Sequence, residues 1–422
     1  MDFAGEITDP VHKYIKFSQV EKDVIDSNVF QRLRRIRQLA GAHLVYPSAQ
    51  HTRFEHSLGA MHIAGLAGET LLSKGHIDYA EVVQDLRLAA LLHDIGHGPF
   101  SHLFEEVLEY HCKTTHEEMG KKIIMQSEIA DILNRHGHSP NRICQLSFGQ
   151  SKVNFLDEII SGGLSADIMD YLPRDGFFTG TEYAKVDYHR IVSSLEVSQN
   201  RLAINKSALN SLESMLISRY EMFKAVYFHK TVRSAEVMLL TSMTSVDEAL
   251  GLTDTSLGNY LSLTDEATLE RLCSLGAGKY AIAAKFACDY RDRRLLKAVY
   301  EKFLPKRSKY KMDRKALCAL AEHIADLAGV DRNYVFVDAS RAASIPLTSS
   351  KEEMYSILIF DKEQVYEMPL SEIPLVESIS GFFDMLRVYT TAENRDRIER
   401  SVKKVLGDQE MAYMGGKTYD HY

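Results

Sequence analysis

The chain has 422 residues, 45% of them apolar and 26% charged, with 9 prolines, a composition that suits a globular protein with one large core and an accessory lobe and excludes a disordered or fibrous one. Its 50 basic and 58 acidic side chains leave a formal net charge of −8, so the molecule holds no general attraction for polyanions and any phosphate site has to be a local cluster. The five cysteines fall singly, at Cys112, Cys144, Cys273, Cys288 and Cys318, without zinc-ribbon or redox spacing, and read as reduced packing residues of a cytoplasmic protein.

The opening MDFAGEITDPVHKYIKF lacks the apolar stretch of a signal peptide, and no run approaches the ~18 apolar residues that cross a bilayer. A strand is expected over residues 11 to 17. Apolar residues at three- and four-residue spacing then predict helices near 28 to 40, 54 to 73, 79 to 95, 101 to 110, 115 to 126, 127 to 136, 151 to 161, 165 to 172 and 207 to 245, with strands within 185 to 204. Helix is expected to continue to Val330. There the pattern changes to alternation in NYVFVDAS, MYSILIFD and EQVYEM, three runs that predict one small antiparallel sheet. A helix from Ser378 or a strand through Arg387 and Tyr389 is expected next, then a charged helix near 392 to 406 and a frayed tail.

The segment LLHDIGHGPFSH holds His93, Asp94, His97 and His102 within ten residues. His93 and His97 are four apart and are expected on one helix face, with Asp94 to the side, and Gly96 and Gly98 are expected to turn the backbone so that His102 returns. A lone histidine on an apolar face is usually a hydrogen-bonded core residue. Several ionisable groups crowded at the end of an apolar helix are costly to bury unless they pair or bind a cation. Two other segments offer partners: HTRFEHSLGAMHIAG, with Arg53, Glu55 and His56 at a helix start, and LSADIMDYLPRD, with Asp167, Asp170 and Asp175 around a short helix expected to end at Pro173. Singly, each of these aspartates reads as a cap or a solvated residue.

A distant His, an adjacent His-Asp pair and a later Asp form the pattern of the HD phosphohydrolase superfamily. FQRLRRIRQLAGAHLVYPSAQHTRFEHSLG, LAALLHDIGHGPFSHLFE, THEEMG, DIMDYLPRD and VYFHK, in this order, resemble the HD-domain deoxynucleoside triphosphate triphosphohydrolases, including the vertebrate members that join a SAM domain to an HD domain. The resemblance implies a mainly α fold: an HD helical core over 1–245, then over 246–422 an accessory α+β region with a small antiparallel sheet and a flexible tail. It implies a metal site at His56, His93, Asp94 and Asp167. That mixed N/O set suits Mn, Fe, Co, Ni, Zn or Mg and does not choose among them.

The resemblance further implies hydrolysis of a dNTP to a deoxynucleoside and triphosphate. His116 matches the family's catalytic histidine, and Glu105 stands where similar enzymes carry an orienting aspartate, one methylene shorter. Arg53, His97, His102 and Arg219 would contact phosphates; Tyr171 and Asp175 would contact the sugar; Tyr227 and Gln38 match residues near the base and sugar edge. Asp26, Gln31 and Arg34, with Arg293 and Lys297 in RRLLK, match contacts to a regulatory nucleotide, although Gly5 and Glu6 stand where a basic residue is expected. A homo-oligomer, dimer or tetramer, is also implied.

SLGAGKY departs from a phosphate loop, with Cys273 in place of Gly and Tyr280 in place of Ser or Thr. The basic stretch 302 to 315, KFLPKRSKYKMDRK, reads as a solvated face or subunit contact before a nucleic-acid surface. Two alternatives stay open: an HD phosphohydrolase for another nucleotide, such as a monophosphate, cyclic nucleotide or alarmone, and a weakly catalytic nucleotide- or nucleic-acid-binding regulator.

Overall fold

The computed structural model describes residues 2–276, 278–303, 314–343, 356–362, 364–369, 372 and 382–407. The helix Arg53–Ser73 is buried along most of its length, fourteen of its residues being buried, and such a helix has to be enclosed on more than one side. Phe54, Leu58 and Met61 face a core shared with Leu91, Phe104 and Met243, while Ala60, Ile63 and Leu71 face a second with Leu86, Met169 and Leu212. It packs on the helices Ala80–Leu92 and Ala166–Thr179. These three helices form the centre of the molecule.

A buried ion pair ties this centre to the N-terminal hairpin Gly5–Asp9/Lys13–Phe17 and the helix Gln19–Ile25. Arg87 donates from Nε and Nη2 to the two carboxylate oxygens of Glu21 at 2.6 and 2.8 Å, and from Nη2 to the Lys16 carbonyl at 2.6 Å. Later in the chain, Tyr188–Ser193 is helical, and the strands Leu195–Ser198 and Arg201–Asn205 pair through Gln199 and Asn200, both left-handed at φ 51° and 59°. That is the two-residue turn whose twist suits a hairpin.

Several sequence expectations are corrected by tertiary contacts. The helix expected over 28 to 40 stops at Gln31, continues as a 3₁₀ turn Arg32–Arg35 and opens out, because Arg32 is drawn inward to the carbonyls of Leu263 and His97. The helix expected to end at Pro173 runs on to Thr179: Arg174 donates to both oxygens of Asp170, each at 2.9 Å, and bridges the turn in which proline lacks its N–H. The 207 to 245 helix divides into Leu209–Met222, a π turn Phe223–Tyr227 and Lys230–Leu250, so the expected division at 245 falls inside a helix.

The three alternating runs do not share one sheet. Val335–Ala343 pairs antiparallel with Phe382–Thr390, which also pairs with Lys297–Phe303, a strand where helix was expected. Ser356–Asp361 pairs antiparallel with Gln364–Pro369 and lies parallel to Arg201–Asn205. Alternation identifies a strand but not its neighbour. Helices Arg314–Ala328 and Arg395–Leu406 pack on the first of these sheets through Ile324, Val388 and Ile398. The expectations for Ser378, the tail beyond residue 407 and residues 304–313 of the basic stretch lie outside the described residues.

Replacing Arg87 with Met should remove about 3–5 kcal/mol of stability, since it strands the buried Glu21 carboxylate. Urea unfolding measures this; a loss below about 1 kcal/mol would show that the pair is dispensable.

Candidate metal centre and nucleotide cavity

His56 lies in the first turn of Arg53–Ser73, where the Glu55 side chain accepts the Thr52 N–H at 2.9 Å and so starts the helix. His93 caps the end of Ala80–Leu92, with Asp94 next to it. Asp167 lies in the first turn of Ala166–Thr179, behind the N-cap Ser165, whose hydroxyl accepts from the Ile168 N–H. These helix ends meet. His56 Nε2 is 3.3 Å from His93 Nε2, 3.1 Å from Asp167 Oδ1 and 3.6 Å from Asp94 Oδ2, and His93 Nε2 is 3.4 Å from Asp94 Oδ1 and 3.8 Å from Asp167 Oδ1.

The tautomers follow from the other ring nitrogens. His93 Nδ1 faces the Ala90 carbonyl at 2.7 Å and His56 Nδ1 faces Asp170 Oδ2 at 2.8 Å, both pure acceptors when Asp170 is ionised, so each Nδ1 carries the proton. The two Nε2 atoms and two carboxylates therefore converge, and a cation that displaces any Nε2 proton would meet two lone pairs and two anionic oxygens. Burial opposes charge on His56, yet Asp167, Asp170 and Asp94 outweigh it and push the ring up to about 10. Burial likewise opposes the anionic form of Asp94 and Asp167, but Arg53 with His93 for the former, and His56 with His93 for the latter, hold them below the ordinary carboxylate range. Such a cluster needs a cation, and the donor set with its proton-holding outer acceptors fits a divalent metal.

The outer shell was not legible in the sequence. Asp170 is fully buried and accepts from His12 Nε2 at 2.6 Å, His56 Nδ1 and Arg174, while Arg174 also reaches Asp9 at 2.8 Å. The helices approach so closely here that a Cβ on Gly59 would lie 1.8 Å from Asp170 Oδ1. His12 and Asp9 carry no local signal, because their relevance comes from a contact across some 160 residues of chain.

The expected helix face joining His93 to His97 does not form, since the helix ends at Leu92. His97 instead turns Nε2 toward Asp94 Oδ1 at 3.3 Å, and its ring stacks on His116 at 4.0 Å between centroids. The backbone turns after Gly96 and His102 does come back, and the positive-φ residues of this loop are Phe100 and Ser101, at φ 60° and 58°. Gly96 and Gly98 supply room: a Cβ would meet the His116 carbonyl at 2.0 Å or the Phe104 ring at 2.2 Å. His97, His102 and His116 thereby form a second cluster. Glu105 reaches His116 Nδ1 at 2.5 Å, and although burial opposes its charge, His102 and His116 hold it ionised well below the usual range.

A cavity of about 530 Å³ adjoins both clusters and is lined by eight residues named from the sequence: Gln38, Arg53, His102, Asp167, Tyr171, Asp175, Arg219 and Tyr227. Its volume is in the range of small-molecule sites. Arg53 pairs with Asp94 and donates from Nε to Ser101 Oγ at 2.7 Å, while its Nη2 is buried without a hydrogen-bond partner among the described residues. Arg219 Nε is in the same state, its guanidinium 4.7 Å from the Phe223 ring. Burial draws Arg219 down to about 10, with Tyr227 and Asp167 opposing. Both oxygens of Asp175 are engaged, by His51 Nε2 at 2.7 Å and the Tyr227 hydroxyl at 2.6 Å. The π turn Phe223–Tyr227 aims Phe223 and Tyr227 at this cavity.

Asp26, Gln31, Arg34, Arg293 and Lys297 do not line it. Gln31 donates to the Ile25 carbonyl and accepts from Arg34, which lies 3.5 Å over the Phe54 ring; Arg293 donates to the Leu44 carbonyl at 2.7 Å.

Helices that deliver a His, a His-Asp pair and an Asp to one point define a protein of the HD type. Residues 53–175 match the HD domain, and residues 186–412, more than half of the chain, match the HD-associated region. The chain belongs to this family of HD domains followed by an HD-associated region. It is 36% identical over 278 residues to the uncharacterized protein MJ1154 of Methanocaldococcus jannaschii, covering 63% of this chain and 57% of that protein. It is 28% identical over 314 residues to the deoxynucleoside triphosphate triphosphohydrolase SAMHD1 homolog of Dictyostelium discoideum, covering 70% and 60%. The chain thus spans less than two thirds of the length of either relative. The solved structure of a hypothetical protein from Aquifex aeolicus superposes with a TM-score of 0.75 at 28% identity, over 94% of this chain and all of that one. Among the described residues no helix is long and apolar enough to cross a membrane.

Asp170→Asn should weaken Mn²⁺ binding by about 10–100-fold, because the amide no longer accepts from every donor around it and His56 loses its fixed tautomer. Calorimetric titration with Mn²⁺ reads this, and wild-type affinity in the variant would reject the role given to Asp170.

Proposed function

We propose that the protein is a metal-dependent phosphohydrolase that cleaves dNTPs to a deoxynucleoside and triphosphate. The observation that carries this reading is that Asp167 belongs both to the convergent donor set and to the wall of a nucleotide-sized cavity whose other walls present Arg53, Arg219 and His102. A divalent ion held by His56, His93, Asp94 and Asp167 would supply Lewis-acid stabilisation of phosphate charge and a more acidic water.

The chain's own groups account for the remaining requirements. The unpaired Nη2 of Arg53 and Nε of Arg219 are buried donors that a phosphate oxygen satisfies. Water adds to the α-phosphorus and gives up a proton to solvent as the bond to the 5′-oxygen breaks, and the departing oxygen takes a proton in its turn. His116 is suited to deliver it from Nε2, since Glu105 holds Nδ1 and sets the ring's orientation. The extra methylene of Glu105 is absorbed without loss of that bond. Tyr171 lines the cavity, so a ring against the sugar C2′ would disfavour a ribose hydroxyl. Activation by a nucleotide at Asp26, Gln31, Arg34, Arg293 and Lys297, and assembly into an oligomer, belong to this proposal through family likeness alone.

Incubation of the metal-loaded protein with dGTP, followed by separation of products, should yield deoxyguanosine and triphosphate in equal amounts. A monophosphate product, or no turnover across the four dNTPs, would overturn the proposal in favour of another nucleotide or a binding role. Replacing His116 with Ala should lower kcat by about 10²–10⁴-fold while leaving Mn²⁺ binding intact; steady-state kinetics and metal titration on the same preparation separate the two effects.

A further inference from the structure

We infer that Asp265, supplied from beyond the HD domain, is a positioning residue for Arg53; the inference rests on the phosphate-binding role proposed above. Asp265 opens the helix Asp265–Ser274 and is 1% exposed. A buried carboxylate is costly unless its oxygens are engaged, and these two are engaged by main chain, with Arg37 Nη1 also 3.5 Å from Oδ2. Oδ1 accepts the Phe100 N–H at 2.7 Å and Oδ2 accepts the Arg37 N–H at 3.0 Å. Phe100 and Ser101 are the two left-handed residues of the histidine-rich loop, a conformation that side chains other than glycine adopt only when their surroundings hold them there.

Between these two anchored peptide units lies Ser101. Its hydroxyl donates to the Arg37 carbonyl at 2.6 Å and accepts from Arg53 Nε at 2.7 Å. Asp265 thus grips the backbone on both sides of the hydroxyl that orients the Arg53 guanidinium. With Nε on Ser101 and Nη1 on Asp94, Arg53 has Nη2 left for an incoming anion. Asp265 does not itself line the substrate cavity. The same segment grips the loop again nearby: the Tyr260 hydroxyl donates to the Gly96 carbonyl at 2.7 Å, and Arg32 links the Leu263 and His97 carbonyls at 3.1 and 2.8 Å. The region after the HD domain is therefore part of the phosphate site's geometry.

The test is a double-mutant cycle read by calorimetric titration of the metal-loaded full chain with inorganic triphosphate, with bound metal measured for each variant. Asp265→Asn should weaken triphosphate binding by about tenfold at unchanged metal content, because the amide NH₂ cannot accept one of the two backbone N–H groups. Arg53→Ala with Asp265→Asn should bind no more weakly than Arg53→Ala alone. If the Asp265 variant fails to fold, Ser101→Ala, which cuts the link without touching the buried carboxylate, should give the same loss and the same non-additivity. Binding by the folded variant within twofold of wild type, or a loss that adds in full to that of Arg53→Ala, overturns the inference while leaving the proposed function standing. Failure of the wild-type protein to bind triphosphate instead overturns the phosphate-binding reading.

Discussion

One buried carboxylate, Asp170, organises the centre of this protein. It accepts from His12, His56 and Arg174 at once, and a carboxylate buried without such partners would be strongly destabilising. Each contact has a separate consequence. Arg174 closes the helical turn over Pro173 and carries the network on to Asp9 in the first hairpin, so the chain's opening strand is tied to the central helices. His56 keeps Nδ1 toward Asp170 and turns Nε2 toward His93, Asp94 and Asp167. The interhelical distance that permits this is set by the missing side chain of Gly59.

From that constraint the division of labour in the site follows. The donor set is built from helix ends, whose backbones are fixed by caps and by packing on two cores, as a coordination site with narrow geometric tolerance requires. The anion-facing groups are built differently. Arg53 and Arg219 project from helices, but the Ser101 hydroxyl that orients Arg53, and His97, sit on a loop with two consecutive left-handed residues. The shape of that loop is held from outside by Arg32, Tyr260 and Asp265. Arg53 joins the two halves by pairing with Asp94 on one side and Ser101 on the other.

Helix positions were readable wherever an apolar stripe and a cap agreed, as in His116–Gln126 with Thr115 and Glu118 or Arg53–Ser73 with Glu55. They were misread where a buried charge overrode the local preference, as Arg32 does after Gln31 and Arg174 does across Pro173. Strands were recognised by alternation in NYVFVDAS, MYSILIFD and EQVYEM, yet were assigned to one sheet when they occupy two. Pairing depends on which edge the rest of the fold leaves open, and period-two patterning carries no record of that.

The sequence by itself determined the chemical inventory: which imidazoles, carboxylates and guanidinium groups exist, and, through their segments, that His56, His93, Asp94 and Asp167 belong together with a cavity rich in donors. Tertiary structure alone decided which acceptor each metal-facing ring turns its Nδ1 to, the identity of the outer residues His12, His51, Asp170 and Asp265, and the close approaches that Gly59, Gly96 and Gly98 leave room for. The physical reason is range. Spacing along a helix governs what lies within a few residues, whereas tautomer, desolvation and close approach are set by groups brought from distant parts of the chain, and those appear only once the core has closed around them.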